Sequence, residues 1–257
     1  MAPKITQDTL KHFVEDLRST HGDNLASVVL YGSAVHNADD SELPSDANLL
    51  VALHRITPED LRQAQAPVRE WQRFGHSVPV YFTLAELSEA ADVFPIEFRQ
   101  MERSRTVLYG RDPFELVQLT NANLRHQTEY ELRSKLIQLR RHYIPASASV
   151  EKLSQLMSES LATFAKLFRP VLMLSGMEPP VAKADCVRAL VKTLQLDGAP
   201  FERIMDLRAD RNAGAQALTD TEAHKVFGAY LAQIERVIQF VDRMPGTNDA
   251  SAEAARA

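Results

Sequence analysis

Apolar and polar residues follow two different periods in the first part of the chain. This sequence spaces four apolar residues by three and four positions: Leu10, Phe13, Val14 and Leu17. Such spacing predicts an amphipathic helix that ends near Gly22. Residues 26–31 (ASVVLY) are apolar or β-branched without helical spacing, so they predict a short buried strand that Gly32 ends.

The pattern from residue 35 to residue 110 predicts further strands separated by helices. We expect a polar loop over 35–45 and a second buried strand over 46–53 (DANLLVAL). Thr57 before Pro58 is a typical helix start, and this helix should end before Gly75. The remaining predictions in this half are a strand over 78–82, a short helix over 84–91 and a strand over 106–109. The first half is therefore expected to be an α/β domain.

Strand patterns stop after residue 112, and a helical stripe follows. Its members are Leu124, Thr128, Leu132, Leu136, Leu139 and Tyr143. Prolines and glycines should divide this half into about five helices, with breaks at Pro145, Pro170, 176–180, 198–200 and Gly214. The last helix is expected over 220–244. We therefore predict an α/β domain over 1–112, an all-α helical bundle over 113–245, and a flexible tail over 246–257.

The composition of the 257 residues, 45% hydrophobic and 25% charged, is that of an ordinary globular protein. With a net charge of -5, the protein lacks the positive field that attracts proteins to nucleic acid. Nucleic acid is therefore not an expected partner. Cys186 is the only cysteine, which excludes an intrachain disulfide and suits a reducing compartment. No apolar signal core opens the sequence, and its apolar runs are far shorter than the roughly 20 residues of a membrane span. We expect a cytoplasmic protein without a membrane partner.

The nine glycines exclude several large enzyme classes. No two are two positions apart, so a G-x-G-x-x-G dinucleotide loop is impossible. There is no Gly-Lys pair for a Walker-type phosphate loop and no G-x-S-x-G nucleophile elbow. None of the eight histidines lies in an H-E-x-x-H motif or four positions from another, so a zinc enzyme is not expected.

One group of residues remains a candidate site after these exclusions. Gly32 and Ser33 follow the first predicted strand, and after a gap Asp46-Ala47-Asn48-Leu49 begins the second. The segment LYGSAVHNADDSELPSDANLLVAL resembles the signature of the nucleotidyltransferase superfamily, which includes polymerase-β-like and kanamycin nucleotidyltransferase-like proteins. That signature is a hydrophobic residue, Gly, Ser, a gap, and then Asp, hydrophobic, acid, hydrophobic. The resemblance implies a short mixed sheet with helices, to which many bacterial members append a helical bundle.

The resemblance also implies a chemistry, the transfer of a nucleoside monophosphate from a magnesium-bound triphosphate to an acceptor hydroxyl. The Gly-Ser turn holds the triphosphate in such proteins, so Gly32 and Ser33 are the expected nucleotide-binding residues. Two carboxylates two residues apart on one strand point the same way and can hold Mg²⁺. Asp46 is then the catalytic and metal-binding acid, and Asn48 takes the place of the second metal ligand. Magnesium is the implied cofactor, and the partners are a nucleoside triphosphate and an unidentified acceptor.

Two of the three expected acids are missing from this sequence. Asn48 is a neutral amide, and the third acid, sought over 78–83 (VPVYFT), is absent. The sequence therefore supports two interpretations: a nucleotidyltransferase whose activity is weak or lost, and a non-catalytic nucleotide-binding or protein-interaction module. The loop acids Asp39, Asp40 and Glu42 are conceivable substitutes.

Each of these candidates also has an interpretation in which it binds no ligand. Gly32 can be a tight turn without a ligand, and Asp46 can cap a turn. An RNase-type toxin in the helical half is a third hypothesis, but its spacing of Arg, four to six residues and His does not occur after residue 112. Arg69 and His76 match that spacing within the α/β half, which we interpret as coincidence.

Overall fold

The computed structural model describes residues 7–32, 35, 47–210 and 218–245, without the side chains of residues 7 and 208–210. The chain divides into two compact units, residues 1–120 and residues 121–257. In the described part, the first unit is a sheet with helices and the second is helical, which confirms the predicted fold class. The predicted tail, 246–257, lies outside the described residues. Of the helices that can be described, none combines the length and apolar character needed to cross a membrane.

The first unit, called the sheet unit below, contains four strands and five helices in its described part. Its strands are β1 (Leu25–Tyr31), β2 (Asn48–Leu53), β3 (Val80–Thr83) and β4 (Arg105–Gly110). Its helices are α1 (Gln7–His21), α2 (Pro58–Gln63), α3 (Gln65–Arg73), α4 (Leu84–Glu89) and α5 (Pro95–Arg103). It also contains two 3-10 turns, Gly22–Asn24 and Pro113–Leu116.

The sheet has the strand order β3-β2-β1-β4. β1 is antiparallel to both β2 and β4, and β3 is parallel to β2. Val28 and Leu30 of β1 belong to the core cluster that includes α1, whereas Val29 belongs to the opposite cluster, which includes Phe98 of α5. Because both faces of the two central strands are covered, their sequences are continuous apolar runs rather than alternating ones.

The single helix predicted after Thr57 is in fact two helices, α2 and α3, that meet at Ala64. Pro67 lies in the first turn of α3 and is buried. Since proline has no N–H to donate to the carbonyl four residues earlier, continuous helical hydrogen bonding fails here. The pattern analysis also missed α5, although Pro95 at its start is a typical beginning for a helix.

Residues 113–117, which the sequence analysis assigned to the helical domain, pack in the sheet unit. Phe114 is 4% exposed, and its ring meets that of Phe98 edge to face with centroids 6.0 Å apart. Just before this segment, Asp112 forms an ion pair with Arg105 of β4 at 2.6 Å. The strand pattern therefore ends earlier in the sequence than the sheet unit does.

The second unit, called the helical unit, contains five helices in its described part. These are α6 (Asn121–Ala146), α7 (Val150–Leu174), α8 (Lys183–Leu194), α9 (Ala199–Asp210) and α10 (Asp220–Asp242). The predicted breaks at Pro145 and Pro170 were wrong, because both prolines lie inside helices, α6 and α7. Pro170 is buried between other core residues of α7, so packing holds the helix together where one backbone hydrogen bond is lost.

We expect Phe114→Ala to destabilise the sheet unit by about 3–5 kcal/mol, because it removes a buried aromatic ring from the core. Trp71, the only tryptophan, is 1% exposed in this unit, so its fluorescence reports unfolding of the sheet unit in urea. The control Leu116→Ala changes a residue that is 69% exposed. This control should alter the free energy of unfolding by no more than about 0.5 kcal/mol. Equal stability of the two variants would contradict the packing of residues 113–117 in the sheet unit.

A second prediction concerns Gly110, which ends β4 with a φ of +77°. A Cβ at this position would lie 2.0 Å from the carbonyl oxygen of Ala26, so Gly110→Ala forces the backbone of β1 or β4 to move. The loss of stability should exceed the roughly 1–2 kcal/mol that a left-handed residue costs by itself. Gly22→Ala is the control, because Gly22 has a φ of +52° but no atom within 4 Å of its Cβ position. The free energies of unfolding are measured by urea titration with Trp71 fluorescence. Equal losses of stability in the two variants would show that the close approach of β4 to β1 does not restrict residue 110 to glycine.

Candidate functional site

The end of β1 and the start of β2 bring Gly32 and Asn48 next to each other. Tyr31 is the antiparallel partner of Asn48, and the Asn48 amide nitrogen lies 3.6 Å from the position of a Cβ on Gly32. Gly32 has a φ of +87°, a conformation that favours glycine. Two of the predicted site residues therefore share one end of the sheet. The other two, Ser33 and Asp46, lie outside the described residues.

Hydrogen bonds hold the main chain of Gly32 on both sides. Its N–H donates to the Ser104 carbonyl oxygen at 2.9 Å. Its carbonyl oxygen accepts from the Val35 N–H at 3.2 Å and from the Ser104 hydroxyl at 2.9 Å. The N–H groups of Gly32 and Val35 are thus already bonded. Ser104 is 72 residues away in the chain, so only the pairing of β1 with β4 brings it here, and the sequence carried no signal for it.

Three side chains lie in register across the sheet beside this turn. Tyr31 of β1 is paired with Asn48 of β2 on one side and with Arg105 of β4 on the other. Paired residues of antiparallel strands share a face of the sheet. Burial raises the pKa of the Tyr31 phenol, so this group stays protonated at neutral pH.

Arg105, the cation of this row, is occupied within the sheet unit. Its guanidinium donates to both carboxylate oxygens of Asp112 at 2.6–3.1 Å and also to the Glu102 carbonyl oxygen. The same group lies 5.2 Å from the centroid of the Phe114 ring. This charge is neutralised and held in place, which suits a structural support better than a phosphate ligand.

The described residues do not fit a magnesium site. Asn48 offers one neutral amide oxygen, and β3 pairs with β2 only from Val80 and Leu50 onward, past the level of Asn48. Within the described ranges, no three His, Cys, Asp or Glu side chains are grouped closely enough to hold a metal ion. The loop acids proposed as substitutes, Asp39, Asp40 and Glu42, lie outside those ranges together with Asp46.

Two cavities of the described residues lie elsewhere. One of about 630 Å³ lies in the helical unit and has a mostly apolar lining from α7, α8 and α9. The other, of about 580 Å³, lies in the sheet unit between α1 and β4. Neither Gly32 nor Asn48 is among the residues that line them. Among the described residues, the candidate site is thus defined by the backbone geometry of Gly32 and by the neighbouring Asn48 side chain.

The alternative pair Arg69 and His76 does not form a site. His76 is 4% exposed, and its ring stacks on the Trp71 indole with centroids 4.0 Å apart. Arg69 is exposed on α3. A buried, stacked imidazole cannot reach a nucleic-acid substrate, so the geometry supports the interpretation of this spacing as coincidence.

No protein-family model and no curated protein sequence matches this chain. Among solved structures, it is similar to the spectinomycin adenyltransferase AAD(9) from Enterococcus faecialis, solved with ATP and spectinomycin. The TM-score is 0.54 at 14% sequence identity, and the match covers 91% of this chain and 99% of that chain. At this identity the likeness is one of fold. The chain therefore has a nucleotidyltransferase-like fold, as the Gly-Ser motif and the strand after it predict.

Proposed function

We propose that this chain binds a nucleoside triphosphate at the Gly32 turn and transfers its nucleoside monophosphate group weakly or not at all. The observation that carries the proposal is that the Asn48 amide nitrogen lies 3.6 Å from the position of a Cβ on Gly32. The sequence resemblance implies that the family's second carboxylate belongs at residue 48. The nucleotidyltransferase-like fold and the positive φ of Gly32 support a retained phosphate turn.

The replacement of an acid by Asn48 changes which partners this position can bind. A carboxylate only accepts hydrogen bonds, so it approaches a triphosphate through a bridging cation. An amide also carries two N–H donors, which can bond a phosphate oxygen directly. Asn48 therefore favours triphosphate binding with little dependence on magnesium, and it disfavours the metal-assisted transfer that two carboxylates would support.

The remaining contacts follow from the hydrogen bonds around Gly32. Because the N–H groups of Gly32 and Val35 are already bonded, neither is free to donate to a phosphate. The proposed main-chain and hydroxyl donors are therefore the Ser33 hydroxyl and the N–H groups between Gly32 and Val35. The absence of a side chain on Gly32 lets a phosphate approach this backbone closely.

Two other functions remain as alternatives with distinct outcomes. In the first, Asp46 and the loop acids complete a working site for transfer to an acceptor hydroxyl, and magnesium is then required. In the second, the fold serves as a protein-interaction module without a nucleotide. The two measurements below separate both from the proposal.

The first measurement is pyrophosphate release with magnesium, each nucleoside triphosphate in turn, and spectinomycin as one candidate hydroxyl acceptor. We expect the wild-type protein to remain at or near background. Its neutral Asn48 and its β3 strand without acids leave a metal-bound triphosphate with little opposing charge. Robust release that Asp46→Ala abolishes would contradict the proposal and identify a working enzyme.

The second measurement is calorimetric binding of ATP with magnesium or with EDTA. The wild-type dissociation constant should differ by less than about threefold between the two conditions, which is under 1 kcal/mol. Gly32→Ala should weaken binding about tenfold, because alanine is strained at the φ of this turn. Gly22→Ala is the control, a second glycine of positive φ in the same unit. Circular dichroism should show that both variants are folded.

Asn48→Asp completes this series. It restores a carboxylate beside Gly32, so the preference for magnesium over EDTA should rise several-fold while transfer stays limited by the missing third acid. Tight magnesium-dependent binding by the wild type would instead indicate a working enzyme. A wild type that binds no triphosphate would leave the protein-interaction module.

A further inference from the structure

We propose that a cavity in the helical unit binds a small zwitterionic molecule, which has an apolar body, a carboxylate and an ammonium group. The cavity lies between α7, α8 and α9 and has a volume of about 630 Å³. Small-molecule sites in proteins commonly have volumes of roughly 300–1,000 Å³. Every residue that lines the cavity belongs to the helical unit, so its ligand is independent of the triphosphate proposed for the Gly32 turn.

Side chains of the hydrophobic core form the inner wall of this cavity. Leu161 and Ala165 of α7, Val187 of α8 and Ile204 of α9 all line it, and none of them is more than 4% exposed. An apolar group that contacts this wall is removed from water, which favours binding in proportion to the apolar area that is buried. The wall therefore selects the apolar body of the ligand.

Small side chains explain why the three helices leave this space open. Ala162 and Ala165 of α7 and Ala184 of α8 are among the lining residues. An alanine side chain ends at its Cβ atom, so these positions contribute no larger group to fill the gap. Protein interiors usually contain few voids larger than a water molecule. A larger residue at one of these positions would reduce the volume that is open to a ligand.

Two charged side chains of opposite sign line the cavity without an ion-pair partner among the described residues. They are Lys183, the first residue of α8, and Asp206 of α9, and both are exposed. Arg188, the third charged lining residue, is already neutralised, because its guanidinium donates to both carboxylate oxygens of Glu202 at 2.8 and 3.1 Å. A ligand carboxylate is therefore attracted to Lys183, and a ligand ammonium group is attracted to Asp206.

The charges and the apolar wall contribute differently to binding. An ion pair at an exposed position adds little free energy, so the buried apolar body supplies most of the affinity. The charges decide which of several ligands with the same apolar body is preferred. A molecule with both charges satisfies Lys183 and Asp206 together, whereas a molecule with one charge leaves the other side chain unpaired.

The experiment measures calorimetric binding of three probes to the full chain at neutral pH. Naphthylalanine carries both charges, naphthylpropanoate carries only the carboxylate, and naphthylethylamine carries only the ammonium group. All three have the same naphthalene ring on a short alkyl chain, so they differ mainly in charge. Naphthylalanine should bind about two- to fivefold more tightly than either of the other probes, which is the gain from one exposed ion pair.

Charge variants assign each group of the ligand to a side chain. Lys183→Gln should weaken naphthylalanine and naphthylpropanoate about two- to fivefold without weakening naphthylethylamine. Asp206→Asn should weaken naphthylalanine and naphthylethylamine by a similar factor without weakening naphthylpropanoate. Lys192→Gln is the control, because Lys192 is an exposed residue of α8 that does not line the cavity. This control should leave all three affinities unchanged.

A second set of variants tests the cavity itself. Ala184→Leu places a larger side chain in the open space, so it should weaken all three probes more than about tenfold. Ala232→Leu is the control, since Ala232 is exposed on α10 and does not line the cavity. Circular dichroism should show that both variants are folded. If Ala184→Leu is unfolded, Ala162→Leu replaces it in the same comparison.

Three results would overturn the proposal. A wild type that binds none of the probes would show that the cavity is not a site for such molecules. Binding that survives both alanine substitutions would place the probes elsewhere on the protein. Equal affinity for the three probes, unchanged by Lys183→Gln and Asp206→Asn, would show that the two charges do not select the ligand.

Discussion

The pairing of β1 with β4 is the constraint on which the rest of the sheet unit depends. At one end, the absence of a side chain on Gly110 lets β4 lie close to the Ala26 carbonyl oxygen. At the same end, the Ser27 hydroxyl of β1 donates a hydrogen bond to the Tyr109 carbonyl oxygen of β4. At the other end, Ser104 holds Gly32 by two hydrogen bonds. Hydrogen bonds thus link β1 and β4 near both ends of their pairing, and they fix the position of Gly32, which follows β1.

This constraint explains what fixes the described part of the candidate site, Gly32 and Asn48. Gly32 is fixed from the side of β4, and Asn48 reaches it from the side of β2. The two strands flanking β1 therefore converge on one glycine. A fold can preserve such a geometry after its chemistry has changed, since packing maintains the backbone while single side chains decide the reaction. Residue 48 is such a single side chain, because the amide of Asn48 carries N–H donors that a carboxylate lacks.

The helical unit depends on packing more than on local sequence preference. Four aromatic rings meet at edge-to-face or stacked angles around α7, from Phe164, Phe168, Phe201 and Tyr230. Burial raises the pKa of the Tyr230 phenol, and its oxygen lies 3.3 Å from the Ser160 hydroxyl. Such a core outweighs the cost of Pro170, which is why the helix continues through a residue that ordinarily ends one.

The sequence by itself determined the fold class, the main strands and the Gly-Ser motif, because these depend on periodicity and on neighbouring residues. The missing acids were equally visible, since Asn48 and the third strand can be inspected without coordinates. Only the tertiary structure decided that Phe114 belongs to the sheet unit and that Ser104 holds Gly32. Both depend on contacts between residues far apart in the chain, which no local pattern encodes. The continuation of α7 through Pro170 has the same physical reason. Burial in the core outweighed the local tendency of proline to end a helix.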